Sequence, residues 1–107
     1  MQIFAALADP TRREIVETLA AREQAVGDLV NRFGISQPAI SRHLRVLREA
    51  GLVRVRADGQ RRMYGVDAHG LEAIDTWLTT HRQKLAKQLD ALDRYLDTNN
   101  RTKGKTR

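Results

Sequence analysis

The chain has 107 residues, no cysteine and a formal net charge of +6. That length suits one domain with a modest core, but not a deep catalytic cleft with a second lobe. The lack of cysteine excludes disulfides and thiolate metal sites. No apolar run approaches membrane-spanning length and no signal-peptide pattern opens the chain, so a cytoplasmic location is expected.

Ile3, Phe4 and Leu7 form a short apolar segment. Asp9 is placed to cap the helix that follows, with Pro10 at its first position and Ile15, Val16 and Leu19 as its buried stripe. Val26, Leu29, Val30 and Phe33 mark a second, short amphipathic helix, and Gly34 permits a tight corner after it. A third helix begins at Ser36, whose hydroxyl can accept an orphan amide proton. Pro38 falls in its first turn, where a missing N–H costs nothing. Ile40, Leu44 and Leu47 recur at helical spacing as a buried stripe. Gln37, Ser41, Arg42 and Arg45 are left facing outward, and such side chains bond base edges and phosphates in a DNA major groove. Two helices joined by a short glycine-containing turn make a helix-turn-helix. The bland alternative is a helical hairpin whose outward polar residues are merely solvated.

Gly51 ends the third helix. Leu52 to Ala57 is a β-branched, alternating run, with Val53 and Val55 on one face and Arg54 and Arg56 on the other. Asp58-Gly59 is a strong two-residue hairpin signal, and Gln60 to Val66 returns. That loop sets Arg56 opposite Arg61, on the face away from Val53, Val55 and Tyr64. Like charges paired across a hairpin destabilise it, and a phosphate backbone would relieve the repulsion. A solvated edge hairpin with basic gatekeepers is the alternative. Directly after a recognition-type helix, the hairpin reads as a wing that contacts DNA through Arg54, Arg56, Gln60, Arg61 and Arg62.

Asp67 then caps a long helix running to about Thr98, roughly 45 Å at 1.5 Å per residue. Leu71, Ile74, Leu78, Leu85, Leu89, Leu92 and Leu96 recur along it, joined by Trp77 and Tyr95. Their 3–4 spacing asks for a partner helix, and so short a chain has little other surface to cover the distal half. A homodimer is expected, with Phe4, Leu7, Leu71, Ile74, Trp77, Leu78 and Leu85 in its interface. Residues 1–98 form one DNA-binding and dimerisation domain, followed by a polar, basic tail at 99–107 expected to be disordered. Residues 36–66 carry seven arginines against Glu49 and Asp58, and the tail carries four basic residues and no acid. The excess positive charge therefore sits on the reading head and the tail, the footprint of a nucleic-acid binder.

Taken together, the chain resembles the arsenic-repressor (ArsR) family of bacterial winged-helix regulators. The matching residues are Ala6-Leu7-Ala8-Asp9-Pro10-Thr11-Arg12-Arg13, Ile35 to Leu47 with Arg48-Glu49-Ala50-Gly51-Leu52-Val53, and Asp58-Gly59-Gln60-Arg61 with Tyr64. The likeness covers roughly residues 3 to 80. It implies a dimeric repressor that binds an operator and is released from it by an inducer. The family's thiolate sensor form has Cys-x-Cys-Asp-Leu where this chain has Ala25-Val26-Gly27-Asp28-Leu29. Another form has Asp-x-His and, eleven residues beyond that His, His-x-x-His/Glu on the dimer helix. Those four positions fall here on Ala68, Gly70, His81 and Lys84, so only His81 remains. Asp67 and His69 mimic the first pair but shifted by one residue, about 100° around a helix. No metal site and no cofactor are expected. Asp67, His69 and His81 are the remaining metal candidates, and a partly buried seam histidine is the competing role for His81. His43 reads as a packing and hydrogen-bonding residue rather than a base reader.

The expected fold class is mainly α with a β-hairpin wing (α+β): a winged helix-turn-helix dimerised through its N- and C-terminal helices. The expected reading residues are Ser36, Gln37, Pro38, Ser41, Arg42 and Arg45. The expected partners are a double-stranded DNA operator and a second copy of the chain, with no membrane. No nucleophile–base–orienter spacing or Gly-rich phosphate loop suggests an enzyme. An architectural DNA-coating protein and a winged-helix protein-interaction module remain the alternatives.

Overall fold

The computed structural model describes residues 2–105, with the side chains of residues 2–98. Two compact units divide the chain, one through Ile74 and one from Asp75 onward.

The first unit opens with α1 (Gln2–Leu7) and α2 (Pro10–Ala21). Asp9 caps α2, its Oδ1 accepting from the N–H of Thr11 at 2.8 Å and of Arg12 at 3.1 Å. These bonds, that from Arg12 foremost, hold the Asp9 carboxyl below its usual range. Arg12 reaches back and donates through Nε to the Ala6 carbonyl at 2.7 Å. One Asp-Pro-Thr-Arg turn thus starts α2 and satisfies the end of α1.

Helix α3 (Val26–Phe33) and helix α4 (Gln37–Glu49) follow. Ser36 caps α4, its Oγ accepting from the Ala39 N–H at 3.3 Å. At the other end, the Gly51 N–H donates to the Arg48 carbonyl at 3.0 Å and the Leu52 N–H to the Leu47 carbonyl at 2.9 Å. This is a Schellman closure, and its paired apolar residues, Leu47 and Leu52, are both fully buried. The core gathers Ile15, Leu19, Leu29, Ile40, Leu44, Leu47, Leu52, Val53 and Tyr64. All three stripe residues expected on α4 are among them.

Strands β1 (Val53–Asp58) and β2 (Arg61–Val66) pair antiparallel. Their register corrects the sequence reading. The loop is Gly59-Gln60 rather than Asp58-Gly59, so Arg61 stands opposite Asp58, and Arg56 opposite Met63. A loop centred on Asp58-Gly59 would require positive φ at Asp58. Instead Gly59 takes φ +63° at the first loop position, and no residue other than glycine has positive φ among those described. Glycine first is the pattern of a type II′ turn. The pairing moves by two residues, so each side chain keeps its face. Gln24 adds a bridge to the free edge of β2, exchanging two backbone bonds with Tyr64 at 3.0 and 2.8 Å.

Helix α5 (Ala68–Lys105) has 38 residues, about 57 Å at 1.5 Å per residue. Its start is fixed by the Asp67 N–H donating to the Leu52 carbonyl at 2.8 Å. The first turn lies tight on the end of α4. A Cβ at Gly70 would fall on the Gly51 carbonyl oxygen and stand 3.0 Å from Leu52 Cα. Ile74 packs on the core. The expected end near Thr98 is a second correction: the backbone continues as helix through Lys105. No proline interrupts that stretch. Residues 106–107 of the expected tail, and the side chains from 99 on, lie outside the described residues.

In the second unit α5 exposes its large apolar side chains: Leu78, Leu85, Leu89, Leu92, Tyr95 and Leu96. Trp77 and His81 stack with ring centroids 4.3 Å apart. No described helix is long and apolar enough to cross a membrane.

Candidate nucleic-acid interface

Helix α4 is anchored by its buried stripe and capped by Ser36, so its other face is presented rigidly. Ser36, Gln37, Pro38, Ser41, Arg42 and Arg45 are all exposed, as the sequence pattern requires. Arg48 extends the same surface by one turn. The N–H groups of the first turn point out of the end of α4, where a phosphate gains from both the donors and the helix dipole. His43 lies partly buried beside this face. Its Nδ1 is buried without a hydrogen-bond partner among the described residues. The packing expected for His43 is seen, but the hydrogen bonding expected of it is not met at that nitrogen.

The hairpin places its residues on two faces. Val53, Val55 and Tyr64 face the core, and Ala57 and Arg62 continue that face toward the tip. Arg54, Arg56 and Arg61 share the outer face, and three acids meet them there. Glu23 accepts from Arg54 Nη1 at 2.7 Å and from Arg56 Nε at 2.9 and 3.0 Å. Arg56 Nη2 also lies 2.8 Å from Glu23 Oε1. Asp28 accepts from Arg61 Nη2 at 3.3 Å and from the Ala25 N–H at the start of α3 at 3.0 Å. Asp58 stands across from Arg61 in the ladder. The hydrogen bonds from Arg56 and Arg54 draw the Glu23 carboxyl from 4.5 down to about 2, and the Arg56 guanidinium is raised in turn.

The repulsion expected between Arg56 and Arg61 is therefore absent, because they are not paired and each has an internal counter-charge. Sequence reasoning missed Glu23 and Asp28 altogether. They lie 31 to 33 residues from their partners, and no local pattern links them. Arg42, Arg45, Arg48 and Arg62 have no ion-pair partner among the described residues.

The metal candidates are otherwise engaged. Asp67 Oδ1 accepts from the His69 N–H at 2.9 Å. The His69 ring is exposed, 3.9 Å from Glu72. His81 Nδ1 lies 2.8 Å from the Trp77 carbonyl, and its N–H form donates there. Among the described residues no group of three or more His, Asp or Glu could hold a metal ion. Of the residues expected at a dimer interface, Leu7 and Ile74 pack partly on the core, whereas Phe4, Leu71, Leu78 and Leu85 are 40–44% exposed. Trp77 is half-buried.

Helices α2 to α4, an edge bridge and a two-stranded hairpin, with the polar face of α4 outward, define a winged helix-turn-helix DNA-binding protein. Residues 9–55 match the family model for bacterial regulatory proteins of the arsR family. The chain is 52% identical over 71 residues to the HTH-type transcriptional regulator Rv2034 of Mycobacterium tuberculosis, covering 66% of each chain. It is 34% identical over 76 residues to the transcriptional repressor SdpR of Bacillus subtilis, covering 71% of this chain and 84% of that one. A solved structure from Mycobacterium bovis, described as a homodimeric winged helix-turn-helix DNA-binding domain, superposes with a TM-score of 0.63 at 25% identity. That match covers 78% of this chain and 77% of the other. The chain belongs to the arsR family: it is a transcriptional regulator, not an enzyme.

Proposed function

We propose that the protein is a cytoplasmic homodimeric repressor that binds an inverted-repeat operator. Ser36 and the first-turn amides of α4 hold phosphate. Gln37, Ser41 and Arg42 read base edges, Pro38 and Arg45 line the groove wall, and the wing lies along the backbone. The observation that carries this reading is the face of α4, where Arg42 and Arg45 are exposed and free of acid partners beside Gln37 and Ser41. Groove-facing arginines left unpaired inside a protein are available for guanine and phosphate. The dimer forms through Phe4, Leu7, Leu71, Ile74, Trp77, Leu78 and Leu85, with residues 1–98 acting as one functional domain. The homodimeric relative from Mycobacterium bovis supports the dimer, and the SdpR repressor supports repression.

A two-fold dimer presents its recognition helices to successive major grooves, about 34–36 Å apart. Binding-site selection from a random duplex library tests this. The expected product is an imperfect inverted repeat with half-site centres about 10 base pairs apart or a small multiple of that. Arg42→Ala then loses about 1–3 kcal/mol of preference for the selected site over random DNA. Equal weakening on both would make Arg42 a phosphate contact. An architectural protein would enrich no motif. A thiolate-bound inducer is not part of this reading, because the chain has no cysteine.

A further inference from the structure

We propose that Glu23 and Asp28 are specificity-determining residues: their carboxylates stand in for DNA phosphates, withholding Arg54, Arg56 and Arg61 from the backbone and leaving Arg62 as the wing's phosphate contact. The inference rests on the DNA-binding reading above and assigns the wing's charges within it.

Several features make the acid cluster a built part of the wing rather than a chance surface pair. Glu23 is only 25% exposed and its two oxygens take guanidinium N–H groups from both Arg54 and Arg56. The Gln24–Tyr64 backbone bonds fix the segment that carries Glu23 to the edge of β2. Gly65 lets the acid lie flat on the sheet. A Cβ there would stand 3.1 Å from both Glu23 Cγ and Arg54 Nη2. Asp28 is held in place independently by the Ala25 N–H. Arg56 meets Glu23 through both Nε and Nη2, the bidentate geometry that arginine also uses on phosphate, while Arg54 and Arg61 each give one nitrogen to a carboxylate. Four arginines on the hairpin meet Glu23, Asp28 and Asp58, so one net positive charge remains. The unpaired arginine is Arg62, exposed beside Ala57 on the face that carries Val55 and Tyr64.

The functional consequence follows from how DNA affinity divides. Phosphate contacts give sequence-independent affinity, with log K falling against log salt by about 0.9 per phosphate neutralised. Base contacts give the preference for one site. Internal anions on the wing lower the first without touching the second, and so raise the ratio of specific to non-specific binding.

Fluorescence anisotropy on a labelled random-sequence duplex, titrated with salt, reads this without knowledge of the operator. Arg62→Ala is expected to flatten the salt slope by about 0.9 per wing engaged, and the Arg54→Ala/Arg56→Ala double variant to leave it unchanged. Glu23→Gln frees two guanidiniums. It is expected to tighten random-DNA binding and steepen the slope, and adding Arg54→Ala and Arg56→Ala to it is expected to restore the wild-type slope. A merely structural role for Glu23 would weaken binding without steepening the slope. The inference is overturned if Arg54→Ala/Arg56→Ala flattens the slope as Arg62→Ala does, or if a folded Glu23→Gln protein keeps the wild-type slope. The double variant keeps the test decisive should Glu23→Gln fail to fold. If the wild-type protein shows no salt-dependent binding to any duplex, it is the DNA-binding reading that fails.

Discussion

Leu47 on α4 and Leu92 on α5 are the same residue type at the same kind of helical spacing, yet one is fully buried and the other 52% exposed. The contrast holds for the units that contain them. Up to Ile74, apolar stripes close on one another in a single core. From Asp75 onward, Leu78, Leu85, Leu89, Leu92 and Leu96 stand in the open at intervals of three, four and seven. Periodicity alone reports that a stripe exists. What covers it depends on how much other chain is available. Helices α1 to α4 and the hairpin cover one another, and in the proposed dimer a second copy of the chain covers the distal part of α5.

The largest expected effect comes from setting the two leucines against each other. Leu47→Ala leaves a cavity in a closed core and is expected to cost about 2–5 kcal/mol in denaturant unfolding, independent of protein concentration. Leu92→Ala is expected to cost an amount that shrinks toward zero as the protein is diluted, since its burial requires a partner. A concentration-independent cost at Leu92 would place that stripe against its own chain and dissolve the distinction.

Next comes the joint at which α5 begins. Gly70→Ala drives a methyl group onto the Gly51 carbonyl and Leu52 Cα, both backbone, so neither can swing aside. Overpacking of this kind costs about 1–3 kcal/mol. A thermal melt checks it. Gly27→Ala, where a Cβ meets nothing within 4 Å, is the control. Equal behaviour of the two would mean the close approach is not real.

Much of the first unit was legible because its signals are local. Ser36 with Pro38, the Ile40–Leu44–Leu47 stripe and the Asp9-Pro10 start each act within one or two turns, and the structure follows them closely. The register of the hairpin was less so. Asp58-Gly59 and Gly59-Gln60 are both acceptable loops on paper, and the choice fell on the one that asks positive φ of glycine alone. The acid cluster on the wing was not legible at all. Glu23 and Asp28 fall in residues 1–35, where acids slightly outnumber bases, far along the chain from the arginines they hold. Nothing in a one-dimensional pattern encodes an ion pair across some thirty residues. The end of α5 was set too early, at about Thr98, although no residue beyond it stops a helix before Gly104.

The smallest expected effect is a titration. Glu23 is held below its ordinary value of 4.5, down to about 2, by the guanidinium groups of Arg56 and Arg54. A carboxyl depressed in the folded state contributes stability that is fully present above its unfolded value and lost as pH falls through the folded one. The wing is therefore expected to stay clamped from neutrality to about pH 4.5 and to release toward pH 2. Carboxyl chemical shifts of Glu23 should show a midpoint near 2, moving up toward 4.5 in Arg54→Ala/Arg56→Ala. A midpoint near 4.5 in the wild-type protein would mean the ion pairs do not persist in solution.

The proposed function divides the labour between the two units: the unit through Ile74 reads DNA, and the exposed face of α5 makes the dimer without which reading fails. Leu78→Asp addresses both halves, because it leaves every groove-facing residue and the buried core intact while placing a carboxylate on the proposed dimer seam. Sedimentation velocity and fluorescence anisotropy on one sample, against a site obtained by selection, decide it. The prediction is a folded monomer whose affinity for the full site has collapsed. A folded monomer that binds that site as tightly as the wild-type protein would contradict the claim.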